Sequence, residues 1–426
     1  MGKSRVLAWA LWESGSTGLT AIVVTFVFSV YLTASVGADG PGDTSATSRL
    51  GWAMLVAGAT VALLAPPTGV WVTAATRRRH ALTVLTLAGV VLTAAMSLVR
   101  NDPRYLGLGL VLLAATTACS DLASVPYNAM LRQLSTPETS GRVSGFGWAA
   151  GYVGSVVLSL VIYVGFISGD GPSRGALHIP AADGQNVRTA MLVTAAWFLL
   201  CALPLLIWAP KPLAAPDDAD ERIGVLGAYR KLWSDLLGEW RRDRNVVYFL
   251  LASAVFRDGL SGVFAFGGVL GANVYGLSAA NVLIFAVVAS TVAALGAVVG
   301  GLLDSRVGSK TVILGSLASM IAVGLVLLAL SGQLAFWVCG LLLAAFVGPT
   351  QASARGLLLR MTADGKEGLA FGLYTTTGRA VQFLAPLMFS TFVNLFGATR
   401  AGMGGLVLVL AAGLLAMVGV RTPARR

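Results

Sequence analysis

Val246–Leu270 reads VVYFLLASAVFRDGLSGVFAFGGVL. The stretch is long and apolar enough to cross a bilayer, which takes about 20 mostly apolar residues. It nevertheless carries Arg257 and Asp258 side by side near its middle. An ionised side chain at that depth costs about 2.5–3.5 kcal/mol on insertion scales, and as a rule it faces a bundle interior or a water-filled cavity. The pair is therefore either an ion pair stitching helices together or part of a solute or proton site.

The surrounding chain has the same character. Of 426 residues, 56% are hydrophobic and 12% charged, and the mean hydropathy is +0.79. A soluble domain carries about 25% charged residues, so this composition describes a polytopic membrane protein. The 51 glycines suit close helix packing in lipid. Cys119, Cys201 and Cys339 all fall in apolar spans, which argues against a disulfide framework, and their spacing matches no metal site. His80 and His178 lie at or near span ends, too far apart in sequence to suggest a shared ligand site. No cofactor or metal is expected. The first apolar stretch is long enough to remain as a membrane helix rather than a cleaved leader.

Twelve spans are predicted, near 7–33, 50–73, 81–99, 106–130, 143–168, 188–209, 246–272, 281–303, 311–331, 334–358, 368–396 and 402–420. The connections then alternate between two sides. One side holds 21 of the 30 Lys and Arg: Lys3, Arg5, Arg77, Arg78, Arg79, Arg132, Arg142, Lys211, Arg222, Arg230, Lys231, Arg241, Arg242, Arg244, Arg306, Lys310, Arg360, Lys366, Arg421, Arg425 and Arg426. The other holds Arg49, Arg100, Arg104, Arg174, Arg188 and Arg400. Positive residues favour the cytoplasm, which predicts a multi-pass inner (plasma) membrane protein with both termini cytoplasmic. The net charge of +11 thus reflects topology and not a nucleic-acid partner.

Polar groups inside the spans mark faces. In span one, Glu13, Ser16, Thr17 and Thr20 share one helix face, suited to a cavity wall or a helix contact. Span two is expected to bend at Pro66-Pro67. Span four carries the stripe Thr117, Asp121, Ser124 and Asn128; Asp121 has no charged neighbour in sequence, so its partner comes from another helix or it is protonated. Span five repeats Gly147, Gly151 and Gly154, read as a close-packing face. Thr375, Arg379 and Gln382 share a face of span eleven.

Between spans six and seven, Pro212–Arg222 reads as a linker. After it, Val225, Tyr229, Leu232, Trp233, Leu236, Leu237 and Trp240 recur at helical spacing among basic residues, predicting an amphipathic helix on the cytoplasmic membrane surface. The chain divides into an N-terminal six-helix bundle (1–209), a cytoplasmic linker (210–245) and a C-terminal six-helix bundle (246–426). Each first span carries an acid, Glu13 or Asp258, and each second span runs into a short basic loop. Two six-span halves related by an axis along the membrane normal are the plan of major facilitator transporters. The fold class is thus an all-α polytopic membrane protein with a 12-helix major facilitator fold. The intramembrane charges agree: Glu13, Asp121, Arg257, Asp258, Arg355 and Arg379 avoid spans three, six, nine and twelve, the spans that face lipid in that architecture.

Several stretches resemble the autophagy-related vacuolar effluxer family of the major facilitator superfamily. Ala8-Trp-Ala-Leu-Trp12-Glu13-Ser stands where the family reads A-W-A-L-Y-D-W. Tyr127-Asn-Ala-Met-Leu, then Gly141-Arg-Val-Ser-Gly-Phe-Gly-Trp148-Ala-Ala-Gly-Tyr152-Val-Gly154, match Y-N-A-x-L-P and G-R-V-S-G-x-G-W-A-x-G-Y-x-G. Phe256-Arg-Asp258-Gly, Phe264-Ala-Phe-Gly-Gly, Gln351-Ala-Ser-Ala-Arg355 and Phe371-Gly-Leu-Tyr374 are similar to further family segments. The resemblance runs from about residue 8 to 420 and implies export of amino acids, the activity of vacuolar members in yeast.

The gating loop departs from the family's G-x-x-x-D-R-x-G-R-R. Gly69, Arg77 and Arg78 are in place, but Thr73 replaces the acid and Thr76 the second glycine. The second copy contains Asp304, Arg306, Gly308 and Lys310, with Asp304 one place early and Ser305 at the usual acid.

The expected function is secondary active transport by alternating access, proton-coupled and exporting a small polar or zwitterionic solute, in a monomer that uses protons or sodium. Glu13, Asp121 and Asp258 are the candidate proton carriers. Thr17, Ser124, Asn128, Arg257, Gln351, Arg355, Tyr374, Arg379 and Gln382 are the candidate cavity residues. No phosphate-binding loop of the G-x-x-x-x-G-K-[ST] type is present, which speaks against an ATP-driven pump. A cation-coupled sugar symporter is the alternative within transport, echoed by Pro126-Tyr127-Asn-Ala129 at the end of span four. A membrane sensor or scaffold that moves no solute is the alternative outside it. An enzyme is not expected, since neither His lies within a span beside a Ser or Asp.

Overall fold

The structure, a computed structural model, describes residues 3–37, 46–72, 75–169, 171–207 and 244–422. Among them twelve helices are long and apolar enough to cross a membrane. These are α1 (Lys3–Val36), α2 (Ala46–Trp71), α3 (Thr76–Leu98), α4 (Pro103–Ala129), α5 (Ser140–Ile167), α6 (Ala182–Ile207), α7 (Arg244–Asn273), α8 (Ile284–Val307), α9 (Ser309–Ala329), α10 (Gln333–Met361), α11 (Glu367–Phe396) and α12 (Thr399–Val418). Each predicted span falls on one of them. The amphipathic helix expected within 210–245 lies outside the described residues, as does Thr73.

Several helices depart from uniform α-geometry or carry proline; three bear on the site. In α1, π-helical turns at Ala21–Phe26 and Leu32–Val36 flank an α-turn at Phe28–Tyr31. The helix α2 runs through both Pro66 and Pro67. By contrast α11 is interrupted, with helical segments Glu367–Val381 and Leu384–Phe396. The cause is Pro386, which has no N–H for the carbonyl of Gln382 four residues back and whose ring crowds that carbonyl. Span eleven, read from the sequence as one continuous stretch, is thus two helical pieces.

By their contacts the described residues form two compact groups, one of residues 3–64, 75–127 and 150–207 and the other of 65–72, 128–149 and 244–422. The first is centred on aromatics. Trp9 and Trp12 of α1 stack on Tyr127 of α4 with centroids 4.6 and 4.3 Å away. The Trp9 indole donates to the Tyr127 carbonyl and the Trp12 indole to Thr86 Oγ1, both at 3.1 Å, while Phe198 of α6 meets Trp12 edge-on. The indole N–H groups of Trp9 and Trp12 thereby both have an acceptor, the condition for placing them in a core. Asp183 ties two connections of this group together, accepting from Asn101 N–H at 3.3 Å and Arg188 at 3.2 Å.

The second group packs through small residues. A Cβ on Gly296 would collide with the Ala345 carbonyl, and one on Gly348 with the Ala293 carbonyl, so α8 and α10 touch backbone to backbone. Repetition shows in the capping of helix ends. Arg79 of α3 donates to the Leu206 carbonyl of α6 at 3.1 Å. In the other group Lys310 of α9 donates to the Val418 and Val420 carbonyls after α12 at 2.8 and 2.7 Å. A cation at a helix C-terminus satisfies carbonyls that lack an intrahelical partner.

Candidate functional site

Three places gather the polar residues singled out by the sequence. The first lies in the group of α1. Glu13 is 9% exposed, and a Cβ on Gly151 of α5 would sit 2.8 Å from Thr17 Oγ1 and 3.1 Å from Glu13 Cγ. A Cβ on Gly154 would strike Ser14. Gly151 and Gly154 therefore let α5 lie directly on the polar face of α1, as their spacing suggested. Ser16 shares a hydrogen bond with Ser120 of α4 at 3.0 Å, and Ser124 Oγ donates to the Asp121 carbonyl at 2.6 Å. Asp121 itself is half-buried.

The second place is where α7 meets the interrupted α11. Arg257 Nη1 donates to the Tyr374 carbonyl at 2.9 Å, with the guanidinium 3.7 Å above the Tyr374 ring. Asp258, 5% exposed, accepts from the Ala385 N–H at 2.5 Å. The two charges thus contact opposite sides of the break and not each other. Arg379 Nη1 donates to Gln382 Oε1 at 2.6 Å at the end of the first segment, where Gln382 is exposed.

The third is the basic end of the second group, built around α4–α5 and α10–α11. Arg355 is 3% exposed and donates to Ser144 Oγ at 3.0 Å, the Ser144 carbonyl at 2.9 Å and Asn128 Oδ1 at 3.0 Å, beside the Trp148 ring. Arg355 and Asn128, both expected to line the cavity, hold each other. Arg132 pairs with Asp364 at 2.6 Å and with buried Glu367 at 2.8 Å, and donates to the Leu359 carbonyl at 2.8 Å. Asp304, 1% exposed, accepts from Ser309 Oγ at 2.6 Å and pairs with Arg360. Although one place early, Asp304 thus joins the first residue of α9 to the last turn of α10. Gly308 follows at φ 92°, a conformation a side chain would resist.

Backbone approach completes this end. A Cβ on Gly141 would overlap Asp304, on Gly145 the Ala297 carbonyl, and on Gly69 the Gly368 carbonyl. Hence α5 crosses α8, and α2 crosses α11, at van der Waals distance.

Of the remaining residues singled out, Gln351 is half-buried and Tyr374 is 7% exposed. Arg77 is half-buried, Arg78 is 4% exposed and Arg306 faces outward. Sequence reasoning missed the Arg132 clamp, counting Arg132 only as a topological charge, and it missed the Trp9–Trp12–Tyr127 stack. Both join segments more than a hundred residues apart.

The model of the vacuole effluxer Atg22-like family matches residues 52–425. The chain belongs to that family. This Atg22-like protein is 21% identical over 413 residues to YxiO, an uncharacterised major-facilitator-type transporter of Bacillus subtilis (strain 168), covering 97% of this chain and 94% of YxiO. It is 22% identical over 282 residues to Autophagy-related protein 22 of Yarrowia lipolytica (strain CLIB 122 / E 150), covering 60% of this chain and 46% of that protein. Among solved structures it is similar to the proton:xylose symporter XylE, with TM-score 0.75, 16% identity and coverage of 98% and 96%. FucP, a major facilitator transporter in the outward conformation, gives TM-score 0.71 at 15% identity, covering 99% and 100%. At these identities the likeness is one of fold. The protein is a multi-pass membrane transporter of the major facilitator type, and not an enzyme.

Proposed function

We propose that this Atg22-like transporter exports a small zwitterionic solute, an amino acid, in exchange for protons across the plasma membrane, as a monomer with its basic end cytoplasmic. The observation that carries the reading is Glu13, an acid held at 9% exposure on a hydroxyl-bearing face of a membrane helix. A carboxyl at that depth is costly to place and as a rule serves a proton or solute pathway. Asp121, half-buried in α4, is the second proton carrier. Arg379 and Gln382, on the exposed turn before the break in α11, are the solute contacts, and Thr17, Ser124, Gln351 and Tyr374 supply further polar surface. The amino-acid class rests on the family resemblance.

The test uses proteoliposomes loaded with radiolabelled amino acids under an imposed pH gradient, with xylose and fucose as parallel arms. Amino-acid efflux that collapses with a protonophore is expected. Sugar counterflow without amino-acid counterflow would favour the sugar symporter, and no flux of either class would favour a sensor. Orientation is read in cells from a cysteine at Ser173 in a cysteine-free background, which an impermeant maleimide should label from outside.

A further inference from the structure

We propose that Arg257 and Asp258 are positioning residues: they hold α11 at its break and thereby set the placement of Arg379 and Gln382. The inference rests on the reading of Arg379 and Gln382 as solute contacts, and it assigns the most expensive pair in the chain a task other than carrying protons or binding solute.

The break creates the need. Leu384–Phe396 begins a new helix, so its first-turn N–H groups have no partner within it. Phe383 at the N-cap offers no side-chain acceptor, and Pro386 has no N–H. The Leu387 N–H returns to the Phe383 carbonyl. The Ala385 N–H therefore depends on an acceptor from elsewhere, in a setting where water is scarce and an unmet donor is costly. Asp258 Oδ2 is that acceptor, and its negative charge lies at a helix N-terminus, where it is favoured.

The seam between α7 and this second segment continues at four-residue steps. Gly262, one turn beyond Asp258, makes room for Ala385, since a Cβ there would fall 2.8 Å from Ala385 Cβ. Phe266, one turn further, stacks on Phe389 at 4.0 Å and 9°.

Arg257 points about 100° away around α7 and serves the other segment. Its guanidinium lies on the Tyr374 ring and carbonyl. It can do so because Gly378 is bare: a Cβ there would be 3.0 Å from Nη1 and 3.2 Å from Cζ. Arg379 follows Gly378 directly, and Gln382 is the last residue before the break. Adjacent residues of one helix thus grip the two pieces of another, and the last turn of the first piece, with its C-cap Gln382, presents the proposed solute contacts.

The decisive contrast is between an acceptor and a proton carrier. Asp258→Asn keeps an oxygen for the Ala385 N–H but cannot exchange a proton, whereas Asp258→Leu removes the acceptor. Hydrogen–deuterium exchange of the purified full-length protein in lipid nanodiscs, with no solute added, reads the clamp directly. Asp258→Leu should raise exchange about tenfold in peptides spanning 383–390 and leave those spanning 309–329 unchanged, while Asp258→Asn should stay within about threefold of the parent. Unchanged exchange at 383–390 in Asp258→Leu, or equal loss of protection in Asp258→Asn, would overturn the proposal. Should Asp258→Leu fail to fold, Arg257→Gln is read instead: about threefold faster exchange across 374–382 is expected, and no change there overturns the clamp. Because no solute is used, failure of the clamp leaves the transport reading intact, and failure to transport amino acids leaves the clamp intact.

Discussion

The first helix of each half brings an acid against the fifth helix of the same half, and the two encounters differ. Glu13 of α1 lies against α5, which stays helical there and admits the carboxyl stem because Gly151 has no side chain. Asp258 of α7 lies against α11, which Pro386 has broken, and its carboxylate accepts the Ala385 N–H at the break. One acid sits beside hydroxyls on a closed helix; the other terminates an open one. A repeated position in a repeated fold is therefore not a repeated role. The state of the fifth helix decides whether the acid meets hydroxyl-bearing neighbours or a backbone N–H.

The sharpest break of that comparison is a pair of isosteric neutral substitutions. Glu13→Gln should reduce pH-gradient-driven flux in proteoliposomes to background while leaving exchange of labelled for unlabelled solute. Asp258→Asn should retain gradient-driven flux within about threefold, a change worth about 0.7 kcal/mol. If the two variants behave alike, the contrast between the acids fails.

A smaller effect is expected at the basic end, where the second group carries a charge clamp across α4–α5 and α10–α11. Arg132→Ala removes the cation that holds Glu367 and Asp364 and two backbone carbonyls. Breaking a buried pair costs about 3–5 kcal/mol, discounted here to about 2 because Arg132 is 28% exposed. That is roughly a 30-fold rise in local opening of the clamp, to be read as faster maleimide labelling of a cysteine at Ala363. Unchanged labelling would mean that the glycine crossings alone hold these segments together.

The smallest effect tests what the halves share. Arg79→Met and Lys310→Met each remove a cation from helix C-terminal carbonyls, worth about 0.3–1 kcal/mol, or about 1–4 °C in thermal unfolding. Similar losses for both would confirm that this feature is a true repeat. A loss confined to one would make it an incidental contact.

Much of the fold was legible because lipid imposes a one-dimensional rule. Every backbone polar group must be met within its own segment, so a spanning helix shows itself as an uninterrupted apolar stretch. The twelve spans, the matching acids Glu13 and Asp258 and the avoidance of charge on every third span were all read that way. The glycines of α5 were read as packing, and Gly151 and Gly154 do pack on α1. The break in α11 was also signalled, by Pro386, but the span is still apolar enough over its length to be read as one stretch.

The sequence by itself determined where the chain crosses the membrane, which end is basic and which expensive side chains lie at depth, because these follow from the transfer cost of each residue. Only the tertiary structure decided what those side chains do. That Arg355 is held by Ser144 and Asn128, that Asp304 reaches Arg360 of α10, and that Arg257 and Asp258 turn to different segments of α11 are long-range facts. A buried charge takes whichever partner packing brings within hydrogen-bond reach, and for these residues that partner lies on a different helix, which no local pattern in the chain can specify.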